Sequence, residues 1–448
     1  MLHFRIIYQW ITLGIFMQQG STISSVFKAS RDLPENYVIR KDIDDRFIEA
    51  LTQETHVVIY GSSKQGKTSL RKKNLLPEDY IDITCSNNWK LEDIHVAILK
   101  KIGYQVSTSQ SKTLKGSAKV KIGINIPFIH KTSLDLNGDA AKTVNKKNIE
   151  LDPEDVNDII TSLDEVNFKK IIVIEDFHYL PEQTQIDFSV ALKAFHESSK
   201  LCFIIVGVWL EEDKLTTFNG DLAGRIVSIN ADRWDKEDVY KLFENSERLL
   251  NIKFDEEFKS DIIEKCNGSI FLVQQLCFQA CEFEQVNNTQ GEFKIVGKNF
   301  LVEEKIKKLI NEQYSRYFKF LTDFSCGFDQ TPLELYKWIL YVLITVEQRY
   351  LEIGVPEAAI RRLIQEKHPK KMEASQKKLR QALRKSVDLQ VKISIKPIVF
   401  EFDASSSRIK IVDRPFILWR SYQNQEDLYG YADLSDDLKT KIITPGYY

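Results

Sequence analysis

The residues with the most specific chemistry lie in one short segment. It reads Gly61-Ser62-Ser63-Lys64-Gln65-Gly66-Lys67-Thr68, which matches the phosphate-binding pattern G-x-x-x-x-G-K-[ST]. In this pattern the glycines let the backbone curl so that its N–H groups face phosphates, and the lysine reaches the β- and γ-phosphates. The segment and the adjacent Ser69 are therefore predicted to bind ATP, with Lys67 on the phosphates and Thr68 on Mg²⁺.

A phosphate-binding loop of this kind needs an acid at the end of a neighbouring strand. The acid holds the water shell of the metal and activates the attacking water. The apolar run 171–174 delivers Glu175 and Asp176 to such a place. The usual order is aspartate before glutamate, so the order here is inverted. We assign Glu175 to the metal and Asp176 to the catalytic base, and the shorter arm of aspartate would fit slow turnover or a nucleotide-held switch.

A further positive charge is expected near the γ-phosphate. Arg225, at the start of the last predicted sheet strand, is the best candidate, and Arg233 is a weaker one. Arg225 could act on the nucleotide of its own chain, act as an arginine finger on a neighbouring subunit, or form a structural tie with Asp221. These alternatives stay open on the sequence alone. His178 could also read the γ-phosphate, although a lone histidine between aromatic residues is more often a packed structural one.

Strands and helices alternate around these residues. Strands are predicted at 57–60, 79–85, 171–174, 201–208 and 225–230, and helices at 68–74, 90–102, 153–166 and 181–199. Asp152 is the predicted N-cap of the third of these helices, with Pro153 in its first position. The alternation predicts the α/β fold class, with a parallel P-loop NTPase sheet and helices on both of its faces.

The remaining segments predict further domains. Residues 1–24 are predicted to form an apolar leader or helix, and 25–232 the ATPase core, with an inserted hairpin and loop at 105–151. After Trp234 helices alone are predicted as far as about 313, so residues 233–325 form a helical lid. Helices at 332–350, 356–367 and 375–389, followed by strands at 397–402 and 408–412, predict a winged helix at 326–425. Residues 426–448 are a predicted tail.

Composition limits the class of protein. The chain has 448 residues, 43% of them hydrophobic and 28% charged, which suits a globular protein of two or three domains. The net charge of −2 gives no overall field for nucleic acid or acidic membranes, so any such binding needs a local patch. Six scattered cysteines without a C-x-x-C pair predict reduced, buried thiols. The apolar run at 6–17 is too short to span a bilayer, and a cytoplasmic location without membrane association is predicted.

Several segments resemble those of the STAND and origin-recognition branches of the AAA+ group of P-loop ATPases. The segments are Tyr37-Val38-Ile39-Arg40, the P-loop with Tyr60, Val173-Ile174-Glu175-Asp176-Phe177-His178, Gly220-Asp221-Leu222 with Arg225, and Asn267-Gly268-Ser269-Ile270. The resemblance runs from about residue 37 to 281 and more loosely to 422. It implies that Val38 and Arg40 lie in the adenine pocket, and that a helical lid and a winged helix follow the sheet.

Two departures from this family concern nucleotide sensing. The strand that ends at Trp209 lacks the Asn, Thr or Arg of a sensor 1 position. The turn Gly268-Ser269-Ile270 lacks both the STAND proline and the sensor 2 arginine. Nucleotide binding is thus predicted more directly than nucleotide sensing. A guanine preference is not predicted, because Asn145-Lys146-Lys147-Asn148 does not end in the required acid.

One segment carries a strong local charge. Between residues 361 and 396 twelve Lys or Arg stand against three acids. The nucleic-acid candidates in its third predicted helix are Lys377, Lys378, Arg380, Arg384 and Lys385. A winged helix would present this helix to a DNA groove, where such residues contact phosphates rather than specify bases. A solvated or protein-docking face is the alternative, and lysines of the 112–147 insertion could add a second contact surface.

Three functions remain open on these observations. The first is an ATP-binding and ATP-hydrolysing switch, in which ATP orders the lid and winged helix and promotes assembly with itself or with a partner protein. The second is a DNA-associated ATPase of the initiator or transposition-regulator kind that binds duplex DNA through the winged helix. The third is a nucleotide-held scaffold with negligible hydrolysis. The basic helix favours the second, and the missing sensor residues favour the third.

Overall fold

The structure is a computed structural model. It describes residues 20–27, 32–106, 111–112, 118–124, 147–232, 234–313, 315–329, 331–370 and 375–434. The apolar run 6–17, Arg233 and residues 435–448 therefore lie outside the described residues. Within the described part, no helix combines the length and apolar character needed to cross a membrane. The described helices and strands are numbered in chain order.

A five-stranded parallel sheet forms the first half of the molecule. Its strands are β1 (His56–Tyr60), β2 (Tyr80–Thr84), β7 (Ile171–Glu175), β8 (Phe203–Val206) and β9 (Ile226–Asn230). They lie side by side in the order β2-β7-β8-β1-β9 and all run in the same direction. Alternate residues of each strand enter two separate apolar clusters, one on each face of the sheet. The predicted parallel α/β sheet covered on both faces is confirmed, and burial of both faces explains the continuous apolar run of β7.

Seven described helices precede or connect the strands, and all of them except the first, which packs against the later helical region, cover these two faces. They are α1 (Ile23–Val26), α2 (Lys41–Thr52), α3 (Lys67–Asn74), α4 (Leu91–Lys101), α5 (Val156–Glu165), α6 (Glu182–Ser198) and α7 (Lys214–Phe218), with short 3-10 helices at Pro77–Asp79, Phe177–Tyr179 and Gly220–Leu222. The predicted start of α5 was wrong. Asp155, not Asp152, is its N-cap and accepts a hydrogen bond from the Asn157 N–H. Asp152 instead accepts the Glu154 N–H in the turn before the helix.

The predicted insertion between α4 and α5 contains short antiparallel strands. These are β3 (Gln105–Val106), β4 (Ser111–Lys112), β5 (Ala118–Ile124) and β6 (Lys147–Leu151). β5 is the centre of this small sheet, because β3, β4 and β6 all pair with it. The alternating pattern at 119–126 thus identified a real strand. The lysine-rich stretch between Ile124 and Lys147 lies outside the described residues.

A mainly helical region follows the sheet. It contains α8 (Lys236–Leu250), α9 (Glu256–Lys265), α10 (Ile270–Phe283), α11 (Val302–Gln313) and α12 (Arg316–Ser325). The prediction that strands stop after Trp234 was wrong, because β10 (Ile252–Phe254) and β11 (Lys294–Val296) pair in parallel. Each has only three residues, which is too short for an alternating pattern to stand out in the sequence.

The C-terminal region combines helices with a small antiparallel sheet. Its helices are α13 (Leu335–Thr345), α14 (Gln348–Ile353), α15 (Glu357–Lys367), α16 (Gln376–Arg384), α17 (Ser386–Lys392), α18 (Pro415–Ser421) and α19 (Gln425–Tyr431), and its strands are β12 (Val355–Pro356), β13 (Phe400–Asp403) and β14 (Arg408–Ile411). The strand order is β12-β14-β13. Two predicted helices are each broken into two, at Val346 and at Lys385. Buried apolar residues of this region and of the helices before it form one continuous cluster, from Ile23 to Leu434.

The C-terminal region packs directly against the carboxyl edge of the large sheet. Val208, just beyond β8, shares a small apolar cluster with Ile398 and Val412 on either side of the β13–β14 hairpin. Next to this cluster the Leu210 N–H donates to the buried carboxylate of Glu401 (2.5 Å). Burial of apolar and hydrogen-bonded groups at this junction fixes the hairpin over the edge at which the predicted nucleotide-binding residues lie.

Candidate functional site

The P-loop connects β1 to α3 at the carboxyl edge of the sheet. Gly61 and Gly66 have φ values of +137° and +89°, a region that side chains with a Cβ avoid. The Lys67 ammonium donates to the carbonyls of Gly61 (2.9 Å) and Ser62 (2.5 Å). Burial lowers the pKa of Lys67 to about 8, although the nearby carboxylates raise it. Since this pKa lies above pH 7, Lys67 keeps its charge, and the loop keeps its cationic centre.

Asp232, which the sequence analysis missed, holds the first half of the loop. Its Oδ1 accepts the Ser62 N–H (2.7 Å), and its Oδ2 accepts the Ser62 hydroxyl (2.5 Å). A Cβ on Gly61 would lie 2.9 Å from Asp232 Oδ1, so Gly61 is required for this close approach as well as for its φ. Ser62 is therefore turned towards Asp232.

Trp234 and Arg40 form the neighbouring wall of the site. The Trp234 indole N–H donates to the Gln65 carbonyl (3.1 Å), and the Arg40 guanidinium stacks 4.1 Å above the indole ring. Arg40 also donates to the Ala231 carbonyl (2.8 Å). Burial lowers the pKa of Arg40, and nearby Tyr37 and acidic groups oppose this shift. The segment that follows β9 is thus fixed to the loop on one side and to Arg40 on the other.

A cavity of about 260 Å³ lies between the P-loop and the helices after the sheet. It is lined by Asp32, Pro34, Asn36, Tyr37, Val38, Arg40, Lys64, Gln65, Gly66, Lys67, Thr68, Ser69, Lys72, Trp234, Leu242, Ile270, Phe271 and Gln274. The structure therefore brings the predicted residues Val38 and Arg40 together with the second half of the P-loop. Gly61, Ser62 and Ser63, which were also predicted to bind nucleotide, do not line it.

The two predicted acids end β7. Glu175 Oε1 lies 3.1 Å from Arg71 Nη2, and Arg71 stacks on the Tyr80 ring. Burial raises the pKa of Glu175, opposed by Arg71 and Lys67. Asp176 adopts a left-handed conformation (φ +58°), and burial raises its pKa against the effect of Lys396 and Lys67. The charge of the P-loop lysine thus lowers the pKa of both carboxylates.

The oxygen ligands present suit Mg²⁺. The Thr68 side chain is exposed at the first turn of α3, and Glu175 is the carboxylate assigned to the metal. Hydroxyl, carboxylate and phosphate oxygens are the ligands that Mg²⁺ prefers. The described residues contain no group of three or more His, Cys, Asp and Glu side chains that could hold a metal. Binding of an ion by Thr68, Glu175 and the phosphates together stays a prediction.

The turn before α10 is tied to the P-loop. The Gln65 side-chain amide donates to the Gly268 carbonyl (3.0 Å), and its Oε1 accepts the Ile270 N–H (3.3 Å). Lys64 lies 3.9 Å from the centre of the Phe271 ring. One P-loop side chain thus bonds both ends of the turn that lacks the sensor 2 arginine.

The C-terminal region also contacts the P-loop. The Ser63 N–H donates to the Val412 carbonyl (3.0 Å), at the end of β14. Arg414 Nη2 lies 3.6 Å from Asp232 Oδ2, and Arg414 Nη1 would lie 3.1 Å from a Cβ on Gly268. Neither contact had a signal in the sequence, since the partners are far apart in the chain and belong to no common motif.

Arg225 is not brought to the P-loop. Its carbonyl accepts the His56 N–H (3.2 Å) at the amino edge of the sheet, one strand length or about 16 Å from the P-loop edge. Its Nη2 pairs with Glu197 Oε1 (2.7 Å), and its Nη1 donates to the Asp221 carbonyl, so the predicted structural tie with Asp221 is made through the backbone of that residue, while the Asp221 carboxylate pairs with Lys193. This placement contradicts the prediction that Arg225 acts on the nucleotide of its own chain. A role on a neighbouring subunit stays a prediction.

The basic residues predicted for nucleic acid lie on and beside α16. Lys377, Lys378, Arg384 and Lys385 are exposed, and Arg380 is partly exposed. Leu379, Ala382 and Leu383 on the opposite side of the helix are buried. The positive side chains therefore form the solvent face of an amphipathic helix. His178, by contrast, is buried and packs against the Tyr179 ring.

No protein-family model and no curated protein matches the chain. Several solved structures are similar in fold. The Walker-type ATPase PABY2304 of Pyrococcus abyssi is 15% identical, with 88% of this chain and 99% of that one covered and a TM-score of 0.44. The Aeropyrum pernix ORC2 protein in ADPNP–ADP complexes is 12% identical (93% and 98% covered, TM-score 0.46), and Cdc6p from Pyrobaculum aerophilum is 14% identical (92% and 99% covered, TM-score 0.39). Similarity at this level says nothing about the chemistry of the chain, which follows from its own side chains.

Replacing Lys67 with alanine should abolish ATP binding. The change removes the buried charge that is predicted to face the phosphates and should cost about 2–5 kcal/mol of binding free energy. Titration of labelled ATP measures the effect, with the exposed Lys100→Ala as the matched control. If Lys67→Ala binds ATP as tightly as the wild-type protein, the cavity is not a P-loop nucleotide site.

Proposed function

We propose that the protein binds ATP in the cavity between the P-loop and α8 and α10. One observation carries this proposal. A single cavity of about 260 Å³ is lined at one end by the cationic second half of the P-loop and at the other by apolar side chains. The triphosphate lies along Gly66, Lys67 and Thr68, where the first N–H groups of α3 are directed at it. The adenine lies against Val38 and Ile270. Thr68 and Glu175 would hold a Mg²⁺ ion, which would supply charge neutralisation on the phosphates.

We further propose that the bound ATP is hydrolysed. Asp176 takes a proton from water as the water oxygen attacks the γ-phosphorus, and ADP departs with the electron pair of the broken bond. The raised pKa of Asp176 supports this assignment, because a buried carboxylate holds the proton better than an exposed one. Glu175 is paired with Arg71 and is less free to take a proton.

Replacing Asp176 with asparagine should leave ATP binding intact and slow turnover by about 100-fold or more, since the base is removed. Asparagine also tolerates the left-handed backbone of this position, so the fold should persist. Single-turnover phosphate release and ATP titration measure the two effects, with Glu175→Gln as the comparison. If Glu175→Gln keeps ATP and stops hydrolysis while Asp176→Asn turns over normally, the two roles are reversed.

ATP binding is proposed to act as a switch on the C-terminal region and, through it, on assembly or partner binding. Support comes from two contacts that bypass the cavity, Ser63 with Val412 and Arg414 with Asp232. Phosphates that fix the second half of the P-loop also restrict its first half, to which the hairpin is bonded. Occupancy of the nucleotide site would therefore affect the C-terminal region through these contacts.

ATP with Mg²⁺ should slow amide hydrogen exchange in the turn at 267–271 and in the junction at 208–212 and 398–412. The reason is that each of these segments is bonded to the P-loop or to its neighbours. Exchange measured by mass spectrometry with and without ATP tests this, and Lys67→Ala should abolish the change. Arg414→Gln, whose side chain lies outside the cavity lining, should bind ATP and show a smaller change. Identical exchange rates in the presence and absence of ATP would exclude the switch.

A second candidate function is binding of duplex DNA by the C-terminal region. We propose that α13, α15 and α16 with the β13–β14 hairpin form a winged helix, with α16 as its DNA-facing helix. The observation that favours DNA is the solvent-exposed row of Lys377, Lys378, Arg384 and Lys385. Contacts of this kind carry affinity but no sequence information.

Replacing Lys377, Lys378 and Arg384 with glutamine should weaken binding to every duplex about equally. The slope of log affinity against log salt should flatten by roughly 0.9 for each phosphate that is no longer neutralised, so by about 2 to 3 in total. Titrations at three salt concentrations measure the slope. Glutamine at the exposed Lys100, Lys169 and Lys170 is the matched control and should leave binding unchanged. Wild-type protein without salt-dependent duplex binding would exclude this function.

A further inference from the structure

Arg380 differs from its basic neighbours in how firmly it is held. Its Nε donates to Glu357 Oε2 (2.8 Å), and its Nη2 donates to Ser407 Oγ (2.8 Å). The side chain nevertheless remains 40% exposed. A guanidinium that is both accessible and fixed loses less conformational entropy on binding than a freely moving lysine.

The two groups that hold Arg380 are themselves fixed. Glu357 is 4% exposed and begins α15, and its N–H donates to the Ser407 carbonyl (2.9 Å). Asp403 orders the turn that contains Ser407 by accepting the N–H groups of Ser405 (2.9 Å) and Ser406 (3.0 Å). The guanidinium is thus positioned by a helix start and a hairpin turn together.

A cavity of about 270 Å³ adjoins this guanidinium. It is lined by Pro356, Glu357, Ala358, Arg361, Gln376, Arg380, Ser406, Ser407 and Arg408. Three arginines and one acid line it, so charged hydrogen-bond donors outnumber charged acceptors. An acceptor-rich edge of a ligand fits this surface better than a donor-rich one.

The pairing with Glu357 changes what Arg380 can recognise. The carboxylate offsets its charge, which reduces its attraction for a phosphate relative to exposed lysines. The two bonds use the Nε–H and one Nη2–H, and the guanidinium end formed by Nη1 and the second Nη2 hydrogen is not involved in them. Two parallel N–H groups match the O6 and N7 acceptors of guanine in the major groove.

We propose that Arg380 reads a guanine in duplex DNA, while Lys377, Lys378, Arg384 and Lys385 contact phosphates. This rests on the proposed DNA binding and adds a base preference to it. The contrasting possibility is that Arg380 is only a structural tie between α15, α16 and the hairpin. The two possibilities differ in sequence preference, which a structural tie does not change.

The test is selection of bound duplexes from a randomised pool by the full chain, followed by sequencing of the bound fraction. Wild-type protein should favour guanine at one position by about 5- to 100-fold. Arg380→Met should lose this preference, and Ser407→Ala, which removes one of the two groups that hold Arg380, should reduce it. The control Arg384→Met should weaken binding to all duplexes equally and keep the preference.

The outcomes separate this inference from the DNA-binding proposal. Wild-type protein that binds no duplex overturns both. Duplex binding without a guanine preference, or a preference that survives in Arg380→Met, overturns the inference and leaves DNA binding in place. Thermal unfolding of each variant identifies a structural tie. If Arg380 is only such a tie, the melting temperature falls in Arg380→Met and the base preference does not change.

Discussion

The hydrogen bonds made by the first half of the P-loop are the constraint on which the rest of the structure depends. The second half of such a loop must leave its N–H groups for phosphates, so the first half needs partners of its own. Asp232 takes the Ser62 N–H, and the Val412 carbonyl takes the Ser63 N–H. The loop is therefore held from behind by the end of the sheet and by the C-terminal hairpin. One short segment thus joins the large sheet to the C-terminal hairpin.

Much of the fold and part of the site could be predicted because the evidence for them is local. The P-loop is a contiguous motif, and the run before Glu175 is apolar at every position because both faces of its strand are covered. The amino-edge location of Arg225 could also have been deduced. In a parallel sheet, a residue that precedes one strand lies at the opposite edge from a loop that follows another.

The remainder depended on pairs that are remote in sequence. Nothing near Asp232 or Arg414 marks them as neighbours of the P-loop, because their placement follows from strand order and from the docking of the C-terminal hairpin. The prediction of where α5 starts was wrong for a different reason. Asp152 and Asp155 are equally good capping residues three positions apart, and only the tertiary context selects the second.

The continuous apolar cluster from Ile23 to Leu434 has a consequence for synthesis on the ribosome. The sheet has its two apolar clusters almost complete once the segment up to β9 has emerged. Helices α8 to α12 emerge next, but part of the surface they bury is supplied by residues near the C-terminus. The apolar side chains of these helices therefore stay exposed until the C-terminal residues have been synthesised. Such a state is prone to aggregation and to chaperone binding. Slow translation after β9 would prolong this exposure, whereas slow translation before it would not.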